Sequence, residues 1–266
     1  MYRIITVDLD GTLLSQEHKI TKYTKKIIKL LINKGFYVVF ASGRHHVDMI
    51  YLRNYLNIKI FMITSNGAKI YNLDNQLIFE NNLDKDIALE LLSLRYLDQD
   101  IITQVYQNDQ WYINNNKIEN NFCPNLSLLR YQFLNLNKFN FENISKIFFT
   151  SNNFKKLYKL KIHIINVLNN KVNINFSSPG CLEITSGNIS KGYGLKLICK
   201  ILGISLKECI TIGNGMNDYD MLSISGKACI MENSDPCLKY ALPYAEIIGN
   251  NINDGVAVFL NKKFLI

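Results

Sequence analysis

The segment RIITVDLDGTLL, residues 3–14, decides how the rest of the chain is read. Its first half, RIITVD, is a short unbroken apolar run ending in an acid, the pattern of a strand buried on both faces of a parallel sheet. Its second half, DLDGTLL, puts Asp8 and Asp10 at i and i+2 as the chain leaves that strand. Both carboxylates can then face the same side, and Gly11 permits a sharp turn behind them. One carboxylate can attack while its neighbour moves a proton. A calcium loop does not fit, because an EF-hand places its glycine at position six and its glutamate at twelve. An isolated D-x-D is more often a polar turn, so its meaning depends on what the other strands end in.

Outward from this segment the chain alternates. Thr21 reads as a helix cap, Tyr23, Ile27, Leu30 and Leu31 share one helical face, and Gly35 follows, which predicts a helix over residues 22–34. FYVVFAS (36–42) is a second buried strand, VDMIYLRNYL a second helix, and KIFMITS (59–65) a third strand. The rhythm is that of an α/β fold, a doubly wound, Rossmann-like parallel-sheet core with right-handed crossovers. AKIYNLDNQLIF then alternates with period two around Asp74 and Asn75, as a hairpin does. A helix over 84–97, strands near 101–107 and 110–114, the strand ISKIFFT, a helix over 154–168 and the strands VNINFS and CLEIT form a different, α+β pattern. The parallel rhythm resumes with a helix from Lys191 to Leu202, the strand CITIG, a short helix, and the strands KACIM and EII. The expected organisation is a discontinuous core, residues 1–83 and 185–266, with an α+β cap domain inserted at 84–184.

Ligands of open parallel sheets sit at the carboxyl ends of the strands. Those ends carry DLDGTLL (8–14), SGR (42–44), SNGA (65–68), SKG (190–192) and GNGMND (213–218), all small, charged or hydrogen-bonding. Taken singly, Ser42 before a helix reads as an N-cap and Lys191 in a first helical turn as a solvated cation. Composition excludes other classes. With 48% hydrophobic and 20% charged residues the chain is not disordered, and no apolar run is long enough to span a membrane. The net charge of +8 comes from scattered lysines such as Lys22, Lys25, Lys26 and Lys29, read as a solvated helix face. No aromatic-interleaved basic motif points to nucleic acid. The start, MYRIITVDLD, has no secretory pattern, so a cytoplasmic protein is expected, and six cysteines without C-x-x-C read as buried reduced thiols. Adjacent His45 and His46 point in different directions on a helix and do not form a metal pair. Trp111 and the tyrosines of the insertion are read as core, a few of them lining the cap's inner face.

In this order, DLDGTLL, ASGR, SKG and GNGMND resemble the four motifs of the haloacid dehalogenase superfamily of phosphohydrolases. The insertion between the second and third resembles the Cof-type branch with a C2 cap. GRHHVDM, MITSNGA, SKGYGL and GMNDYDMLS resemble enterobacterial members that include a pyridoxal phosphate phosphatase. The resemblance implies that Asp8 is the nucleophile, forming an aspartyl-phosphate, and that Asp10 protonates the leaving oxygen and then activates water. It implies phosphate binding by the Leu9 and Asp10 amides, Ser42, the Gly43 amide, Lys191 and Asn217. It also implies Mg2+ held by the Asp8 side chain, the Asp10 carbonyl and an acid at position 214, with Asp218 in support. Position 214 is an asparagine. Asn214 keeps a carbonyl oxygen but removes one negative charge, so weaker magnesium binding is expected unless Asp218 supplies the charge. The expected partner is a small phosphorylated metabolite, pyridoxal phosphate or a sugar phosphate, with no nucleic acid and no membrane. A phosphomutase of the same superfamily, or a weakened phospho-ligand binder, are the alternatives.

Overall fold

The computed structural model describes residues 1–94, 98, 100–114 and 127–266. The chain begins with β1 (Ile4–Asp8), α1 (Lys22–Asn33), β2 (Tyr37–Ala41), α2 (His46–Leu56), β3 (Phe61–Thr64), β4 (Lys69–Tyr71) and β5 (Leu77–Glu80). Next come α3 (Lys85–Ser93), β6 (Ile102–Gln107), β7 (Gln110–Ile113), β8 (Tyr131–Phe133), β9 (Ile144–Thr150), α4 (Phe154–Leu168), β10 (Val172–Ser178) and β11 (Cys181–Ser186). It ends with α5 (Lys191–Leu202), β12 (Cys209–Gly213), α6 (Tyr219–Ile224), β13 (Lys227–Met231), α7 (Pro236–Ala241), β14 (Glu246–Ile248) and α8 (Gly255–Phe264). The helix expected over 84–97 is described only to residue 94; its last three positions, like Cys123, lie outside the described residues.

The larger sheet runs β14-β13-β12-β1-β2-β3-β4-β5, parallel from β14 to β3 and antiparallel through the final hairpin. Every residue of β1 is buried, and alternate side chains serve opposite layers. Ile5 and Val7 pack with Ile27 and Leu31 of α1 and Leu260 of α8. Ile4 packs with Leu195 and Ile198 of α5 and Leu222 of α6. That two-sided demand is why the strand reads as continuously apolar. Each fully buried aliphatic side chain contributes about 1.5–3 kcal/mol. Thr21 caps α1 as expected, its hydroxyl accepting from the Thr24 amide.

Strand order reverses between β1 and β12: successive strands run outward from β1 on one side and from β12 on the other. This is the topological switch point at which α/β sheets bind ligands.

The second sheet, β10-β11-β9-β6-β7-β8, is antiparallel except for the last pair. Its period-two alternation sends Val105, Phe149, Leu182 and Ile184 into a core with Leu157, Leu160 and Ile164 of α4. The opposite face carries Gln104, Tyr106, Lys146, Phe148 and Glu183, and these line a cavity shared with the larger sheet. Cys199, Cys209 and Cys229 are buried free thiols, whereas Cys181 is half-buried and Cys237 exposed, which corrects the expectation of uniformly buried cysteines.

Candidate active site

The first site element is a three-membered charge cluster. Asp8 closes β1, Lys191 opens α5, and Asp218 follows the turn after β12. Lys191 is 0% exposed, and its Nζ donates to Asp8 Oδ1 at 2.6 Å and to Asp218 Oδ1 at 2.6 Å. Burial alone would lower the lysine's pKa, but the Asp218 and Asp8 charges hold it well above the ordinary value. Asp8 is pushed above the usual carboxylate range, first by burial and then by the like charge of Asp218, against the pull of Lys191. Two acids therefore share one ammonium in a nearly dry site. A lysine at the first position of a helix would ordinarily be solvated; this one is buried because β1 and the 214–218 loop close over it.

Asp218 has both oxygens engaged. Oδ2 accepts from the Asn214 amide at 2.8 Å and the Gly215 amide at 3.0 Å, while Oδ1 takes Lys191. It fastens the loop from behind the cavity wall. Asn214 turns its side-chain oxygen toward Thr12, whose hydroxyl donates to Oδ1 at 3.0 Å. Gly11, at φ +74°, leaves room for this amide, since a Cβ there would run into Asn214 Nδ2. Asp8, Asp10 and Asn214 line one cavity and offer it only oxygen donors, the Asp8 carboxylate, the Asp10 carbonyl and the Asn214 amide oxygen, which keeps one lone pair beyond Thr12. With two buried carboxylates against one lysine, an excess negative charge remains. These residues fit a hard divalent cation such as Mg2+, with one charge fewer than an aspartate at 214 would provide.

Asp10 faces Arg44, which donates from Nε to Oδ2 at 2.7 Å and from an Nη to Oδ1 at 2.6 Å, while His18 Nδ1 lies 3.2 Å from Oδ1. Burial would raise this carboxyl, but the Arg44 hydrogen bonds, then those of His18, hold it well below the ordinary range. Ser42 does not cap α2, contrary to its isolated reading: its Oγ accepts from the Arg44 amide at 3.1 Å. His45 is the cap, with Nδ1 accepting from the Val47 amide at 3.2 Å. That fixes the ring proton on Nε2, which donates to the Asn108 carbonyl of the cap at 3.0 Å. Burial, then His46, pushes His45 down to about 3.

These groups border a cavity of about 430 Å³ between the two sheets. Of the expected site residues, Asp8, Asp10, Ser42, Gly43, Asn214 and Asn217 line it. Leu9, Lys191 and Asp218 are 0% exposed and stand behind that wall. Tyr106 and Trp111, read as cap core or inner face, line it too, whereas His45 and His46 do not. Sequence reading passed over Arg44, His18, Lys146 and Glu183. The last two carried a visible signal, a lone charge at a period-two position inside the apolar runs ISKIFFT and CLEIT.

Comparison with known proteins identifies the family and the fold. The model of the haloacid dehalogenase-like hydrolase family matches residues 5–260. A Buchnera aphidicola (subsp. Schizaphis graminum) protein with phosphatase in its name is 70% identical over 265 residues, covering 100% of this chain and 97% of the relative. The HMP-PP phosphatase of Escherichia coli (strain CFT073) is 29% identical over 260 residues, covering 98% of this chain and 95% of the relative. Among solved structures, a haloacid dehalogenase-like hydrolase from B. subtilis superposes with a TM-score of 0.88 at 25% identity, covering 99% of this chain and 100% of that one. Another, from Bacteroides thetaiotaomicron, gives a TM-score of 0.85 at 24% identity over 99% of this chain and 100% of that one, a likeness of fold.

Proposed function

Because this chain belongs to the haloacid dehalogenase-like hydrolases, we propose that it is a magnesium-dependent phosphatase of a small phosphorylated metabolite, acting through a phosphoryl group carried on Asp8. The observation that carries this reading is the contact of Lys191 with both Asp8 and Asp218 at 2.6 Å, beneath a cavity able to hold a small ester. Asp8 presents an oxygen to phosphorus at the floor of that cavity. Lys191 neutralises the nucleophile before attack and the incoming phosphate during it. Ser42, the Gly43 amide, the Leu9 and Asp10 amides and Asn217 hold the phosphate oxygens.

Asp10 gives a proton to the leaving oxygen and then takes one from the attacking water. Arg44 keeps Asp10 aimed, and it also stabilises the ionised form. The carboxyl must therefore pick up its proton as substrate enters and displaces part of the Arg44 contact. Asp8, the Asp10 carbonyl and Asn214 would hold Mg2+, which when bound supplies positive charge to the phosphoryl group in transfer. The cap face of Tyr106, Trp111 and Phe148 would meet the leaving group, and aromatic walls suit a flat ring. Pyridoxal phosphate fits this better than a sugar phosphate, and the HMP-PP in the name of the Escherichia coli relative is a further candidate. No described helix is long and apolar enough to cross a membrane, in keeping with a cytoplasmic site of action.

The test is a panel of phosphorylated metabolites, assayed for phosphate release with and without magnesium, with Asp8→Asn as the blank. Magnesium-dependent release by the natural chain alone supports the reading. Equal release by the variant would remove Asp8 from the chemistry, and isomer formation without free phosphate would make the protein a mutase.

A further inference from the structure

One motif singled out by the sequence, SNGA after β3, has no part in the chemistry above. Its Asn66 stands at a crossing. The Asn66 amide donates to the Ser42 carbonyl at 3.0 Å, and the Ser65 amide donates to the Arg44 carbonyl at 2.9 Å. Asn66 Oδ1 accepts from Asn217 Nδ2 at 3.3 Å, and Asn66 Nδ2 donates to Glu183 Oε2 at 2.6 Å. Glu183 belongs to the cap. Its other oxygen, Oε1, accepts from Lys146 Nζ at 2.6 Å, and the same Nζ donates to the Gly43 carbonyl of the core at 2.6 Å. Lys146 also lies over the rings of Tyr106 and Phe148, 4.8 and 4.6 Å from their centroids.

We propose that Lys146 and Glu183 form a clasp that couples closure of the cap to the arrangement of the phosphate end of the site, acting through Asn66 and Gly43. Lys146, Glu183 and Asn66 are positioning residues, whereas Gly43 also holds phosphate with its amide. The proposal rests on the phosphatase reading of the same site.

The chemistry of each group supports it. A carboxylate can accept from Lys146 at one oxygen and from Asn66 at the other, whereas an amide would oppose a donor to a donor. Glu183 and Lys146 are only 6% and 2% exposed, so each needs the other's charge. Gly43 leaves room for the carboxylate, since a Cβ there would fall 2.8 Å from Glu183 Oε2 and push that side chain aside. Ser65 and Asn66 sit at φ +47° and +56°, a left-handed backbone that persists where contacts hold it. Those contacts are the carbonyls of Ser42 and Arg44 and the carboxylate of the cap. When the cap lifts, Glu183 leaves Asn66, and the side chain that orients Asn217 loses its anchor. With the cap seated, the phosphate contacts are assembled together with the cavity. Water exclusion and site assembly then become one event.

A double-mutant cycle tests this in the full chain. Asn66→Gly deletes the bridging amide without strain at positive φ. Lys146→Met/Glu183→Leu removes the clasp, leaving neither a buried charge nor an acceptor for Asn66. Each should lower kcat/KM for the best ester of the panel by about ten- to hundredfold, the range of one charge-assisted hydrogen bond. Combined, they should cost within about twofold of the worse one, because they break the same connection. A merely structural role would lower the melting temperature of each and leave kcat/KM of the folded enzyme near wild type. Hydrogen exchange at the Ser65 and Asn66 amides should quicken in the Lys146→Met/Glu183→Leu protein, and this needs no turnover. Unchanged kcat/KM, fully multiplying losses or unchanged exchange would overturn the clasp. A natural chain that releases no phosphate would overturn the phosphatase reading instead, and the exchange result would still decide the clasp.

Discussion

Lys191 in the core and Lys146 in the cap are both nearly sealed from water, at 0% and 2% exposure, yet they do different work. Lys191 has two carboxylates, Asp8 and Asp218, at equal distance. Lys146 has one, Glu183, plus a neutral carbonyl and two ring faces. The core cluster has two carboxylates for one ammonium, and that imbalance in a dry place is what the proposed cation would offset. The cap pair is balanced and attracts nothing further, so it serves as a fastener. Counting charges around each lysine separates chemistry from closure where burial alone does not.

Removing Lys191 should have the larger effect. Lys191→Met leaves both acids facing an incoming phosphate, and kcat/KM should fall about 10³-fold. If Lys191→Met kept wild-type rates, the contrast between the two lysines would collapse. Lys146→Met should cost less activity, about the ten- to hundredfold of the clasp, and should act on stability as well. It orphans Glu183 in the cap face and should cost about 3 kcal/mol by denaturant titration. Adding Glu183→Leu should restore most of that loss without restoring activity. A third expectation concerns pH. His45 is held neutral, at about 3 in the folded chain against an ordinary 6.5. Its contribution is complete above about pH 6.5. It is lost as pH falls, because the unfolded chain binds the proton first, and by pH 5 the loss should be about 2 kcal/mol. His45→Gln should flatten that part of the stability profile, and an unchanged profile would show the ring to be accessible.

The smallest effect returns to the core surplus. Asn214→Asp adds the missing carboxylate and should lower the magnesium concentration needed for half-maximal activity by about tenfold. Direct titration of magnesium by calorimetry should show the same shift without substrate. An unchanged requirement would mean that position 214 does not face the ion.

The sequence carried most of the core because one physical demand, burial on both faces, writes itself as continuous apolar runs. CITIG, KACIM and EII became β12, β13 and β14 with the expected ends. The helix α8 escaped notice because its entry, Asp254, is left-handed at φ +53° and makes no side-chain cap, so no start signal precedes it. The strand β8 is exposed throughout and has no apolar stripe to betray it. In the site, strand-end convergence made Asp8, Lys191 and Asn214 candidates, and only the order of the four motifs gave Lys191 and position 214 their expected roles. Glu183 and Asn66 were not, since 117 residues separate them and their contact exists only where the cap meets the core. Nothing local in either segment encodes that meeting. The same holds for Arg44, whose role depends on Asp10, 34 residues earlier.

The most direct test of the central claim is to trap the phosphoryl group on the chain. A turned-over ester labelled with radioactive phosphorus, quenched in acid, should leave hydroxylamine-labile label on the peptide that carries Asp8, and none on Asp8→Asn protein. Brisk phosphate release by the natural chain with no label on that peptide under rapid quench, and undiminished release by Asp8→Asn, would contradict the account.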